Sequence, residues 1–206
     1  MKLSKLKNLN NFFRIGLDEA GRGPWAGPVF CAAVFIPKNI RILGLNDSKL
    51  LTPSQRGRLF EIIIAKTIFG IGSSSHLEID ALGLIKAVEL GFKRALNELV
   101  LKTPKKFYDH FFLQIDGRDK FVFDYPYQSI IRGDQKVKSI SAASILAKVS
   151  RDRFMLEIAK KYPHYGFEKH KGYGTKLHLE RLRKYGACDI HRRSFRPVEE
   201  ILNSKF

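Results

Sequence analysis

Asp18-Glu19-Ala20-Gly21-Arg22-Gly23-Pro24-Trp25-Ala26-Gly27-Pro28 follows a short apolar run, Ile15-Gly16-Leu17, and leads into a longer one at 29–36. Apolar residues on both sides of a cluster of small residues and prolines predict a strand, a tight turn and a second strand. Glycine tolerates positive φ and carries no Cβ, so such a turn lets a ligand approach the main chain closely. The spacing Gly21, Gly23, Gly27 departs from G-x-G-x-x-G, and Pro24 interrupts the helix that a dinucleotide fingerprint requires, which sets a Rossmann site aside. An Asp-Glu pair at a strand end is ordinarily a solvated turn feature. It acquires meaning only if other carboxylates join it.

A chain of 206 residues, 44% of them hydrophobic, accommodates one large domain with a sizeable core. Lysine and arginine number 37 against 20 acidic residues, and the formal net charge of +17 points to a polyanion, nucleic acid first, as the partner. An anionic membrane surface is the competitor, but no apolar stretch approaches a transmembrane span and residues 1–13 lack a signal-peptide core, so the expected compartment is the cytoplasm, with no membrane contact. Cys31 and Cys188 have neither disulfide nor metal-ligand spacing and read as reduced thiols.

Residues 1–13 read as a basic N-terminal arm. Thr52-Pro53-Ser54-Gln55 carries an N-cap, a proline at the first helical position and a capping-box glutamine, predicting a helix to about residue 66. A strand over 67–73 follows, and Ser75-x-x-Glu78 opens a single long helix to about residue 99. Its stripe of Ile79, Leu82, Ile85, Val88, Phe92 and Leu96 reads as core packing. Phe111-Phe112-Leu113-Gln114-Ile115 predicts a buried strand ending at Asp116, 128–131 a short strand, and Gly133-Asp134 lies in a polar turn before a helix over 141–161. The last quarter interleaves aromatic and basic residues around a basic helix at 176–185 and ends in a short helix. His164, His170, His178 and His191 lack paired zinc spacing, so solvated or phosphate-facing roles are expected of them.

Asp18, Glu19, Asp116 and Asp134 each lie at or just beyond the end of a short apolar run. A hard divalent cation takes oxygen ligands, usually a few carboxylates plus water and substrate phosphate, and two such ions serve phosphodiester hydrolysis. Strands lying side by side would unite these groups, although spacing alone does not bring them together.

At these residues the chain also resembles the type II ribonucleases H (ribonuclease HII). Asp18-Glu19-Ala20-Gly21-Arg22-Gly23-Pro24 with Ala26-Gly27-Pro28-Val29 is similar to that family's signature. Asn46-Asp47-Ser48-Lys49, Asp116-Gly117, Gly133-Asp134, Ser141-Ala142-Ala143-Ser144-Ile145, Ala147-Lys148-Val149, Arg151-Asp152 and His170-Lys171-Gly172-Tyr173 follow in the family's order, over about residues 14–198. The resemblance implies an α/β, ribonuclease H-like fold, a mixed five-stranded sheet flanked by helices, with a catalytic domain at 14–161 and a small helical, substrate-contacting part at 162–206. It implies that Asp18, Glu19, Asp116 and Asp134 are catalytic and bind Mg²⁺ or Mn²⁺. Gly21, Arg22 and Gly23 would recognise the ribose 2′-hydroxyl, Tyr173 would stack on the sugar at the junction, and Lys49 and Lys148 would contact phosphate or carboxylate. Arg192 and Arg193 read as general backbone-binding charge.

The implied activity is endonucleolytic cleavage of the RNA strand of RNA-DNA hybrids, and of single ribonucleotides embedded in duplex DNA, by a monomer, giving 5′-phosphate and 3′-hydroxyl ends. The alternative is a non-enzymatic basic nucleic-acid-binding module, which must explain why four carboxylates sit on a phosphate path. Trp25 departs from the family pattern, standing where a smaller aliphatic is common, and is expected to alter the fit near substrate.

Overall fold

The computed structural model describes residues 12–45, 48 and 50–204. The basic arm up to residue 11, and Asn46, Asp47 and Lys49 of the polar loop, therefore lie outside the described residues. Five strands, β1 (Phe13–Ala20), β2 (Val29–Phe35), β3 (Ile68–Ser74), β4 (Phe111–Asp116) and β5 (Tyr127–Ile130), form one sheet in the order β3-β2-β1-β4-β5. β1 pairs antiparallel with β2 across the glycine turn, and β2 antiparallel with β3. β1 and β4, and β4 and β5, are parallel. This is the mixed five-stranded α/β architecture that the resemblance implied.

Alternation along β1 sends Ile15 and Leu17 into one core and Gly16 and Asp18 toward the other face. The first core gathers Leu113 and Ile115 of β4 with Val88, Phe92, Ala95 and Leu99 of α3 (Leu84–Leu101). The second packs Ala32 and Val34 of β2 against α1 (Pro53–Lys66) and the long helix α5 (Lys138–Lys161). Both expected capping boxes are present: Thr52 with Gln55 opens α1, and Ser75 with Glu78 opens α2 (His76–Leu82). The helix expected to run on from Ser75 instead divides. Gly83, at φ 77°, caps α2 with its N–H on the Ile79 carbonyl at 2.9 Å and also starts α3. The change of direction leaves Leu82 at 50% and Ile85 at 40% exposure, so that stripe serves the core only at Ile79, Val88, Phe92 and Leu96.

Two further boundaries differ. A one-turn helix, α4 (Gly133–Lys136), lies where the polar turn was expected, and α5 starts three residues earlier than its small-residue run predicts. The C-terminal part contributes α6 (Phe167–His170), α7 (Lys176–Tyr185) and α8 (Arg196–Asn203). Among the described residues no helix is long and apolar enough to cross a membrane.

The seat of α5 on β1 depends on Gly16, where an added Cβ would lie 2.2 Å from the Ser139 carbonyl carbon and 2.3 Å from the Ile140 nitrogen. Those neighbours are backbone and cannot rotate aside. Gly16→Ala is therefore expected to destabilise by at least about 1–3 kcal/mol. Gly57→Ala, within α1 and with nothing within 4 Å of its new Cβ, should stabilise by about 0.4–1 kcal/mol. Urea melts of the two variants against the parent check the opposite signs.

Candidate active site

The parallel register Leu17–Ile115 brings the next residues, Asp18 and Asp116, side by side at the ends of β1 and β4 and on the face covered by α5. Asp18 is buried, accepts the Glu19 N–H at 2.7 Å and is hydrogen-bonded by the Ser144 hydroxyl of α5. The Ser144 hydroxyl in turn lies 2.9 Å from that of Ser48. Burial first, then the charges of Glu19 and Asp116, hold the Asp18 carboxyl well above the usual carboxylate range. Burial also raises Glu19, and Arg22 opposes the shift.

Arg22 Nη1 bridges Glu19, at 3.2 Å, and Asp119, at 2.5 Å. Asp119 was missed in the sequence, although it follows the Asp116-Gly117 strand end by two residues. Asp116 Oδ1 accepts the Gly133 N–H at 2.6 Å, which ties β4 to the start of α4. That contact sets the neighbouring, buried Asp134 at the same strand end, although Asp134 does not line the cleft. Among the described residues no three His, Cys, Asp or Glu side chains form a ready-made metal cage.

The cleft has a volume of about 450 Å³, with Asp18, Glu19 and Asp116 at its acidic end. The turn at Gly21, Arg22 and Gly23, together with Lys148 and Tyr173, also lines it. Lys148 Nζ holds Asp152 at 2.8 Å and lies 5.7 Å from the Tyr173 ring centroid. Tyr173, at 40% exposure, leaves ring surface open to a ligand. At Gly23 an added Cβ would meet nothing within 4 Å, so the protein's own packing does not require glycine there. A larger hollow of about 550 Å³ between α7 and α8, beside Trp25, has Glu200 as its one carboxylate, and Glu200 is paired with Arg196 at 2.7 Å. Convergent chemistry, not size, singles out the acidic cleft.

Two expectations about the C-terminal part are corrected. Arg192, read as general backbone-binding charge, is fully buried. Its guanidinium donates to the carbonyls of Gly21 at 2.5 Å, Arg22 at 2.8 Å and Gly27 at 2.8 Å. His170, His178 and His191 are buried rather than solvated. One set of neutral tautomers satisfies them. His178 Nδ1–H donates to the Tyr173 carbonyl at 2.9 Å, its Nε2 accepts from His191 at 3.1 Å, and His191 Nδ1 accepts the Cys188 N–H at 3.0 Å. Burial lowers His178 to about 3 and His191 to about 4, and raises the Cys188 thiol to about 11. Trp25 faces the C-terminal part, tilted against His178 at 5.2 Å and seated where a Cβ on Gly174 would be 2.2 Å from its ring. Exposed Arg193 keeps its solvent-facing place.

The ribonuclease HII family model matches residues 15–198. The chain belongs to the ribonuclease HII family. It is 48% identical over 197 residues to Ribonuclease HII of Desulfitobacterium hafniense (strain DSM 10664 / DCB-2), covering 95% of this chain and 73% of that protein. Ribonuclease HII of Verminephrobacter eiseniae (strain EF01-2) is 47% identical over 188 residues, 91% of this chain and 87% of the relative. Among solved structures, ribonuclease H2 from Pyrococcus horikoshii OT3 superposes with a TM-score of 0.71 at 26% identity, covering 93% of this chain and 97% of that one. As a member of this family the chain is a ribonuclease H-type endoribonuclease, and the non-enzymatic alternative falls away.

A carboxyl raised by burial and like charge destabilises the metal-free fold whenever it is ionised. Asp18→Asn is therefore expected to raise the melting temperature in EDTA at neutral pH by on the order of 2–4 °C, the shift that about 1 kcal/mol makes in a domain of this size. A calorimetric scan with no rise would overturn the like-charge account.

The buried histidines give the opposite dependence on pH. With folded pKa values below 6.5, their contribution is fully present above about 6.5 and is lost as pH falls toward 3–4. Stability should drop between pH 6.5 and 4.5 by at most about 1.4 kcal/mol per pH unit and histidine. His178→Gln should flatten that decline in denaturant melts across the range.

Proposed function

We propose that this cleft cleaves the RNA strand of RNA-DNA hybrids and single ribonucleotides embedded in duplex DNA, leaving a 5′-phosphate and a 3′-hydroxyl. In this reading Asp18, Glu19, Asp116 and Asp134 hold Mg²⁺ or Mn²⁺, and the enzyme works as a cytoplasmic monomer. The observation that carries it is Asp18, a buried carboxyl pressed by two neighbouring carboxylates and facing a cleft in a chain of net charge +17. A buried acid under such pressure ordinarily neutralises or acquires a cation, and an all-oxygen donor set suits a hard divalent ion. When bound, such an ion supplies Lewis acidity toward the phosphodiester and a more acidic water.

The chain's own residues account for the rest. Asp116 is oriented by the Gly133 amide, and Asp18 by the Glu19 amide and Ser144. The open backbone at Gly23, beside Gly21 and Arg22, is suited to a 2′-hydroxyl, the group that distinguishes RNA from DNA. Tyr173 offers a ring for the sugar at the junction, and Lys148 a cation beside it for phosphate. Lys49 joins this reading by resemblance alone.

A DNA duplex containing one ribonucleotide should be cut with Mg²⁺ and spared in EDTA, and Asp116→Asn should abolish cleavage while remaining folded by circular dichroism. Turnover near the parent's in that variant would remove the metal assignment. Tyr173→Ala should slow cleavage at the single ribonucleotide by about five- to 150-fold, corresponding to about 1–3 kcal/mol of stacking, while duplex affinity measured in Ca²⁺ changes less. Equal losses in rate and affinity would make Tyr173 a general binding contact.

A further inference from the structure

Between β1 and β2, the eight residues Gly21 to Pro28 leave the sheet and need partners for their backbone groups. Two buried arginines, neither on the sheet, supply most of them. Arg192 takes the carbonyls of Gly21, Arg22 and Gly27 through its guanidinium, and its own N–H donates to Trp25 at 2.8 Å. Arg151, from α5, takes Ala26 at 3.1 Å and Pro28 at 3.0 Å. Six of the eight carbonyls, at positions 21, 22, 25, 26, 27 and 28, are thus held by two residues.

The amides of Arg22 and Gly23 have no acceptor among the described residues, and both residues line the cleft. Arg151 also reaches the reader on the far side. Its guanidinium carbon lies 5.6 Å from the Tyr173 ring centroid, and its Nη1 is a buried side-chain nitrogen with no hydrogen-bond partner among the described residues. The ring face partly compensates a cation placed there. Gly21 is in contact with the same side chain, since a Cβ at that position would lie 2.1 Å from Arg151 Nε.

We infer that Arg192 and Arg151 are positioning residues that lock the 21–23 amides and Tyr173 into one rigid reader, so that discrimination of the 2′-hydroxyl depends on two arginines that do not touch substrate. This rests on the proposed reading of the turn as the 2′-hydroxyl site. A fork of five N–H groups can span carbonyls on different residues, whereas a lysine ammonium is a point charge. Arg192→Lys keeps the charge and loses the span.

The test compares kcat and KM of the parent and R192K, with Mg²⁺, on duplexes whose single substituted nucleotide carries either a 2′-hydroxyl or a 2′-fluorine. Emission and acrylamide quenching of Trp25, the chain's one tryptophan and itself part of the turn, are recorded alongside. In R192K the ratio of kcat/KM values, hydroxyl over fluorine, is expected to shrink about tenfold or more, the scale of one lost charge-assisted hydrogen bond. The Trp25 spectrum should shift, and duplex Kd in EDTA should stay within about twofold, because the surface charge is unchanged. A parent that discriminates together with an R192K that keeps the ratio and the Trp25 signal overturns the inference alone. A uniform loss on both substrates with the ratio intact reduces the arginine to a structural role and also overturns it. A parent that does not discriminate overturns the reading of the turn, and the inference with it, while Trp25 still reports whether the fork fixes the turn. Should R192K fail to fold, Arg151→Lys, which breaks the Ala26 and Pro28 contacts and the guanidinium's place over Tyr173 while leaving the Arg192 contacts intact, is put through the same comparison with the same expected directions.

Discussion

Two adjacent carboxylates at the end of a central strand, Asp18 buried and Glu19 largely so, are the constraint to which the surrounding structure answers. Ionised groups removed from water cost several kcal/mol each unless something compensates them. Here the compensation is partial and uneven. Glu19 has Arg22, whose Nη1 Asp119 also holds, so that one acid gains a cation already steadied by a second acid. Among the described residues Asp18 has two hydrogen bonds against burial and two neighbouring charges, and its carboxyl remains raised. A core built for stability alone would not leave that imbalance. It persists because the sheet fixes Asp18 beside Asp116, and the seat of α5 over Gly16 brings Ser144 against it.

What could be read from the sequence was local. Thr52 with Gln55 and Ser75 with Glu78 mark helix starts because the capping groups lie three residues apart, and the strands ending in Asp18 and Asp116 stand out as apolar runs closed by acids. Gly83 was the readable signal that went unused: a glycine inside a helical stripe can end one helix and begin another. The carboxylates were legible as candidates, but the parallel pairing that unites two of them is a long-range fact, carried by resemblance rather than spacing. Arg192 was legible only as charge. Its distance of 171 residues from Gly21, whose carbonyl it holds, leaves no periodic trace. The three histidines fail a search for ligand spacing because their partners are backbone groups and one another.

Those histidines bear on how the C-terminal part keeps its shape. His178 and His170 stack at 4.4 Å, His178 holds the Tyr173 carbonyl, and His170 Nδ1 accepts the Gly172 amide at 3.2 Å. The loop carrying Tyr173 is thereby pinned by neutral side chains. Backbone contacts join it to the turn, where Trp25 N–H donates to Gly172 at 2.8 Å and Gly27 N–H to Ile190 at 2.9 Å. Charge placed in this cluster would compete with the arginines directly beside it. Burial already presses Arg192 down to about 9, with Arg151 as the next cause, a value that leaves it protonated at neutral pH. Neutral histidines add hydrogen bonds there without adding a third cation.

This division separates affinity from discrimination. A net charge of +17 attracts any nucleic acid, and its contribution weakens as salt screens it and counterion release loses its advantage. It cannot distinguish a ribose from a deoxyribose, since both strands present the same phosphates. In the proposed reading, discrimination rests on short hydrogen bonds at one sugar, made by uncharged amides whose position does not depend on ionic strength. The buried arginines bond the carbonyls of that turn, and burial shields those bonds from the solvent ions that compete with surface lysines. Two of the 37 basic residues therefore work inside the protein, where they shape the turn, and leave attraction of the polyanion to cations at the surface.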